Sequence, residues 1–219
     1  MSSTSHKHVV IYHGLGGFPK TMFLYEQAAK LLGFSVHNLG YLGRYKTFDG
    51  VAEALYKKTR KHVPKGADVH FIGHSMGGNM LRYMVAQQYW DVKSVSTLGT
   101  PFFGATWIDD VPGGNWIGRK FFGKAIIDTF SDCERICQLP TLEGIPTLNI
   151  CGNKSFTWGN PLSWYVGPYI GDSDGFVPIK DTKLPNAVQI IVPEDHLTMI
   201  CKPYIVTYVM NHITQADKK

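Results

Sequence analysis

The sequence lacks the features that mark membrane and secreted proteins. No run of about 18 apolar residues occurs, so no membrane-spanning helix is predicted. The N-terminus, MSSTSHKHVVIYHG, has no apolar stretch of signal-peptide length. Only four cysteines are present, and without a secretion signal they are expected to be free, buried thiols. These absences predict a cytoplasmic protein with no metal site and no disulfide framework.

Charge of either sign is also sparse. Charged residues make up 18% of the chain, the net charge is +5, and the densest basic group is the short stretch 57–61. Such a stretch is typical of a solvated helix face, so we expect no nucleic-acid partner. The chain has 219 residues, 44% of them hydrophobic. That is enough for a substantial core, and we expect a single domain over residues 1–219.

What the sequence does contain is an alternation of short apolar runs with amphipathic runs. This alternation predicts an α/β fold, with about six strands in a minimal, mostly parallel sheet and helices on both faces. The predicted strands cover 8–12, 34–39, 68–73, 93–99, 145–152 and 187–192, and the predicted helices cover 21–32, 48–62, 76–88 and 202–212. The apolar residues expected on one side of the first helix are Phe23, Leu24, Ala28, Leu31 and Leu32.

Two connections between predicted strands are unusually long. Residues 103–143 are apolar and aromatic with few charges, and they form a candidate cap or lid. Residues 153–170 form an aromatic insertion. Both follow strand ends, so both are expected over the carboxyl edge of the sheet, where open α/β sheets bind ligands. The alternative is that they are ordinary segments covering the core.

A serine between glycines marks the junction of the third strand and the third helix. The sequence Gly73-His74-Ser75-Met76-Gly77 matches the G-x-S-x-G nucleophile elbow. A turn this tight forces the serine into a strained backbone conformation and presents its hydroxyl above the sheet. The pattern alone is weak, but an apolar run before it and a helical run after it make Ser75 the predicted nucleophile.

A serine nucleophile needs a base and an orienting acid. His196 is the predicted base, because it follows the carboxyl end of the last strand. Asp174 is the preferred acid and Asp172 the alternative, since both lie in a turn between serine and histidine in chain order. Asp195 is a poor orienter because neighbouring side chains in an extended loop diverge. His74 is expected to point away from the serine.

The developing oxyanion also needs hydrogen-bond donors. The glycine-rich turn HGLGG follows the first strand directly and exposes backbone N–H groups. One donor is expected from this turn and one from the residue after the nucleophile, which indicates Leu15 and Met76. Aromatic residues near the same edge are candidates for the substrate pocket: Phe18, Phe102, Phe103, Trp158 and Trp164. His13 is expected to hold the turn.

Five short segments together resemble the α/β-hydrolase superfamily, especially small bacterial triacylglycerol lipases and esterases. They are HGLGG (13–17), GHSMGG (73–78), LGTPFFGA (98–105), DGFVP (174–178) and DHLTM (195–199). The resemblance implies a Ser-His-Asp triad, an acyl-enzyme intermediate and no cofactor. It implies hydrolysis of carboxylic esters, with a small-molecule ester or lipid as substrate and contact with a lipid interface. The alternatives are thioester or amide hydrolysis, or a binding protein without catalysis.

Overall fold

A single sheet of parallel strands organises the protein. The computed structural model describes residues 7–43, 46–104, 133–157 and 161–218. The strands are β1 (His8–Tyr12), β2 (Ser35–Asn38), β3 (Asp68–His74), β4 (Asp91–Leu98), β5 (Thr147–Gly152) and β6 (Val188–Val192). Their spatial order is β2-β1-β3-β4-β5-β6, and every neighbouring pair is parallel. The predicted fold class and all six predicted strands are confirmed.

Helices cover both faces of the sheet. In the described ranges they are α1 (Phe23–Leu31), α2 (Phe48–Arg60), α3 (Met76–Ala86), α4 (Cys133–Cys137), α5 (Pro161–Ile170) and α6 (Pro203–Ala216). Short 3₁₀ turns precede α1, lie between α5 and β6, and precede α6: Pro19–Met22, Ile179–Thr182 and Thr198–Cys201. None of the helices in these ranges is long and apolar enough to cross a membrane.

The two faces of the sheet form two separate apolar layers. Because side chains alternate along a strand, Val10 and Tyr12 of β1 face α2 and α3, whereas Val9 and Ile11 face α1 and α6. Every residue of β1 is buried, as expected for a central parallel strand. This sandwich holds the carboxyl ends of the strands along one edge, where the loops that follow them meet.

The buried side of α1 differs from the prediction. Ala28 packs partly against the core as predicted, but Phe23 and Leu31 are 53% and 88% exposed. The side that packs inward is formed mainly by Tyr25 and Ala29, together with Met22 just before the helix. Ala29 lets the helix approach the core closely, and the Tyr25 hydroxyl donates to the Met199 carbonyl at 3.2 Å. The prediction failed because it favoured large apolar residues over a small residue and a tyrosine with a hydrogen-bond partner.

The two long connections are described only in part. Residues 105–132 of the candidate cap lie outside the described residues, and the segment returns to the sheet through α4. The aromatic insertion contains α5, which was not predicted and has Pro168 inside it. Cys151 is buried, but Cys137 and Cys201 are exposed, so the expectation of buried thiols was wrong for these two.

Candidate active site

Ser75 occupies a strained corner between β3 and α3. Its backbone has φ 53° and ψ −125°, in a region that residues with a side chain rarely adopt. The Ser75 N–H donates to the Leu98 carbonyl at 2.8 Å, and its carbonyl accepts from the Gly78 N–H at 2.9 Å. The sheet and the first turn of α3 therefore hold this conformation from both sides. The strain expected from the sequence is present.

His196 and Asp174 form a buried hydrogen-bonded pair beside this corner. His196 Nδ1 lies 2.6 Å from Asp174 Oδ2, and the His196 N–H donates to the Asp174 carbonyl at 2.8 Å. The other carboxylate oxygen of Asp174 accepts from the N–H groups of Phe176 and Val177. A neutral imidazole that donates from Nδ1 has its lone pair on Nε2, which is the arrangement a general base needs.

The loop that carries Asp174 returns to the end of β5. A methyl group on Gly152, the last residue of β5, would lie 2.9 Å from the Asp174 Cβ. The chain therefore brings Asp174 back to the sheet edge, although many residues separate it from β5 in sequence. Asp172 is exposed, and its backbone carbonyl accepts from the Ile179 N–H. Of the two candidates, the one in contact with His196 is Asp174.

Gly99, directly after β4, leaves the space that this pair occupies. Its φ is +54°, and a methyl group there would lie 2.8 Å from Asp174 Oδ2 and 2.9 Å from His196 Nδ1. Contacts this short are repulsive, so a side chain at this position would displace the acid or the base. Gly99 belongs to the segment LGTPFFGA, but no local pattern in the sequence indicated that it leaves space for the acid and the base.

The glycine-rich turn after β1 lies against the elbow. A methyl group on Gly14 would lie 3.1 Å from the Ser75 Cβ. His13 holds the turn, since its Nδ1 donates to the Gly14 carbonyl at 2.7 Å while Nε2 accepts from the Tyr41 N–H at 3.3 Å. Burial lowers the pKa of His13, so a neutral ring fits both bonds. The roles of Leu15, in this turn, and Met76 as oxyanion donors stay predictions.

His74, which the sequence predicts to point away from Ser75, packs against His196. Its ring centroid lies 4.7 Å from that of His196, and its Nε2 lies 3.0 Å from the His196 carbonyl oxygen. Asp195 has a different task, since Oδ1 accepts from the N–H groups of Leu197 and Thr198 and caps the following 3₁₀ turn. Within the described part of the chain, no cluster of histidine, cysteine or acidic residues is arranged to hold a metal ion.

Solved structures of lipases and esterases share this architecture. A lipase of Bacillus licheniformis in its mature form is 20% identical, with 96% of this chain and 93% of that chain covered at a TM-score of 0.69. A metagenomic carboxyl esterase is 13% identical, with 98% and 77% covered at 0.67. An extracellular α/β-hydrolase from a Paenibacillus species is 16% identical, with 95% and 98% covered at 0.59. The chain has the α/β-hydrolase fold. No protein-family model and no curated protein matches it.

In this α/β-hydrolase fold, the predicted pocket residues lie in different surroundings. Phe102 is fully buried in the apolar layer under α3, so its side chain is part of the core as the structure stands. Phe18 and Phe103 are 56% and 37% exposed on loops that follow strand ends, and Trp164 is 49% exposed on α5. Trp158 lies outside the described residues. Whether the exposed aromatic residues bind substrate stays a prediction.

Proposed function

We propose that the protein is a serine hydrolase of carboxylic esters, with Ser75 as nucleophile, His196 as base and Asp174 as orienting acid. The observation that carries this proposal is the buried Asp174–His196 hydrogen bond of 2.6 Å at the sheet edge where Ser75 occupies a strained elbow. A buried carboxylate that fixes one imidazole nitrogen near a serine at a tight turn is the arrangement by which serine esterases activate their nucleophile.

The proposed cycle has two halves. His196 Nε2 takes the proton of the Ser75 hydroxyl as its oxygen attacks the ester carbonyl, and the resulting imidazolium then protonates the leaving alcohol. In the second half, the same nitrogen takes a proton from the water that attacks the acyl-enzyme, and it returns this proton to the Ser75 oxygen as the acid is released. Asp174 stabilises the imidazolium in both halves through its bond to Nδ1. No cofactor enters this cycle.

Leu15 and Met76 N–H groups are proposed to bind the oxyanion. The turn that contains Leu15 passes beside Ser75, and Met76 begins α3, whose N-terminal N–H groups favour negative charge. Loss of one donor in such a site costs about 3 kcal/mol of transition-state stabilisation.

The substrate is proposed to be an ester of an apolar acid, including lipid esters. Exposed large apolar side chains lie on segments that follow strand ends, at the edge of the sheet that carries the proposed nucleophile. Structures with the same fold are named lipase and carboxyl esterase, which favours esters over thioesters and amides. The same apolar surface is proposed to contact a lipid interface.

A fluorophosphonate probe tests the proposal. Wild-type protein should be labelled at Ser75 and should hydrolyse p-nitrophenyl esters, with rates that rise as the acyl chain lengthens from acetyl. Ser75→Ala should lose both labelling and turnover. Ser96→Ala is the matched control, because Ser96 is a buried serine in β4, and it should keep both. If correctly folded wild-type protein is not labelled, the proposal that it is a serine hydrolase is wrong. If acyl-CoA is turned over faster than esters, the protein is a thioesterase and not an esterase.

A further inference from the structure

His74 is buried directly behind the proposed base. It is the last residue of β3 and is 5% exposed. Its Nε2 lies 3.0 Å from the His196 carbonyl oxygen, and the two rings are 4.7 Å apart at an interplanar angle of 43°. On the far side, a methyl group on Gly14 would lie 2.6 Å from His74 Nδ1. The glycine therefore leaves room for the imidazole between the β1 turn and His196.

The hydrogen bond fixes both the tautomer and the charge of His74. A carbonyl oxygen only accepts, so the proton must be on Nε2, and Nδ1 carries the lone pair. Burial lowers the pKa of His74 well below its ordinary value. The next cause is the positive charge that His196 acquires, and His13 acts in the same direction. His74 is therefore a neutral donor. It adds no second positive charge beside an imidazolium on His196.

Three polar groups of residue 196 are held by hydrogen bonds. Its N–H donates to the Asp174 carbonyl and its Nδ1 contacts the Asp174 carboxylate, while its own carbonyl accepts from His74. The first two contacts come from the loop after β5. The third comes from the strand that ends at Ser75, so it links the base to the element that carries the nucleophile.

We propose that His74 is a positioning residue that fixes the distance and orientation of His196 relative to Ser75 through its hydrogen bond to the His196 carbonyl. This inference rests on the proposed function, because positioning matters only if His196 acts on Ser75. A side chain without a donor at position 74 leaves the carbonyl of residue 196 unpaired in a buried site. The loop after β6 then shifts, and the imidazole moves with it.

Two substitutions separate the donor from the bulk of the side chain. His74→Gln keeps an N–H donor at a reach similar to Nε2, and His74→Leu keeps apolar volume without a donor. His74→Leu should lower kcat by about tenfold to a hundredfold with KM unchanged, since small displacements of reacting groups have effects of this size. His74→Gln should recover most of the loss.

His70 supplies the matched control. It lies on the same strand, is fully buried and bonds through Nδ1 to the Ser94 hydroxyl at 2.8 Å. His70→Leu should lower the thermal midpoint as His74→Leu does, but it should leave kcat unchanged. Equal losses of kcat in the two leucine variants would mean that His74 supports the fold only, and would overturn the proposal. Equal kcat in His74→Leu and His74→Gln would do the same.

A spectroscopic measurement keeps this test independent of the hydrolase proposal. The proton between His196 Nδ1 and Asp174 should give a far-downfield ¹H NMR signal in wild type. The signal should shift or broaden in His74→Leu and return in His74→Gln, whether or not any ester is hydrolysed. If the signal is identical in all variants, His74 does not position the imidazole. If it responds while wild type shows no turnover, the positioning stands and the proposed function fails.

Discussion

Gly99 carries no side chain, yet the position of the acid–base pair depends on it. Its φ of +54° and its closeness to Asp174 Oδ2 and His196 Nδ1 give two separate reasons for glycine. Gly99→Ala should therefore lose stability through backbone strain of about 1–2 kcal/mol. It should also lose ester hydrolysis by about a hundredfold or more, because the methyl group displaces the reacting groups. Urea denaturation and kcat/KM measure the two effects separately.

The strain alone can be measured at another glycine. Gly66 has φ +71°, and a methyl group there would meet nothing within 4 Å. Gly66→Ala should lose a similar amount of stability and keep full activity. A Gly99→Ala protein that hydrolyses esters as fast as Gly66→Ala would show that the pair tolerates the methyl group, contrary to the expected clash.

Among individual residues, the sequence predicts those whose role follows from a local sequence pattern. Ser75 is recognisable from its glycines and flanking elements, and His196 from its place after the last strand. Gly99, Gly152 and His74 could not be predicted, because their contacts join positions far apart in sequence. These roles depend on packing at the edge of the sheet, which can be determined only from the three-dimensional arrangement of all the strands.

At the scale of elements, a histidine pair joins the two outermost strands on one side of the sheet. His8 Nδ1 of β1 lies 3.0 Å from His37 Nε2 of β2, and the His37 and His62 rings are 5.7 Å apart. Burial, followed by the charges of His8 and His62, lowers the pKa of His37 to about 4. The surroundings of His37 therefore favour its neutral form.

A depressed histidine pKa makes the fold sensitive to acid. Well above pH 6.5, His37 is uncharged in both the folded and the unfolded state, so it contributes no pH dependence there. As pH falls from 6.5 towards about 4, the unfolded chain binds a proton that folded His37 does not, and stability falls. In His37→Gln, the urea midpoint should fall less than in wild type as the pH is lowered through this window. At mildly alkaline pH, any difference in urea midpoint between wild type and His37→Gln reports the effect of the substitution on packing alone. Parallel pH curves for both proteins would contradict the assignment.

Elements differ in how well the sequence predicts them. Strands such as β3 follow from a short apolar run between turn signals, and they were placed to within a residue or two. The buried side of α1 was wrong, because size and hydrophobicity do not show which side a helix packs when a tyrosine finds a hydrogen-bond partner. α5 was missed because Pro168 breaks the usual pattern of a helix.

At the scale of the whole molecule, one group of exposed apolar residues follows the carboxyl ends of the strands. Segments that follow five of the six strands carry large apolar side chains that are 37–85% exposed. We call these residues the apolar rim; they are Phe18, Leu42, Phe103, Phe156, Trp164 and Leu197. All follow carboxyl ends of strands, so they surround the edge that carries Ser75 and His196. Exposed apolar groups of this kind mark ligand or membrane contact sites, which is consistent with the proposed apolar or lipid substrate.

Leu42 and Leu31 test the apolar rim as a matched pair. Leu42 is 85% exposed on the loop after β2, and Leu31 is 88% exposed at the end of α1, where the chain turns towards the opposite edge of the sheet. Leu42→Ser should reduce cosedimentation with vesicles of phosphatidylcholine and phosphatidylglycerol, because binding scales with the apolar area buried in the interface. Leu31→Ser should not. The net charge of +5 adds attraction to the anionic lipid that salt weakens. Since both variants keep this charge, equal binding by the two would mean that charge, and not the apolar rim, brings the protein to the surface.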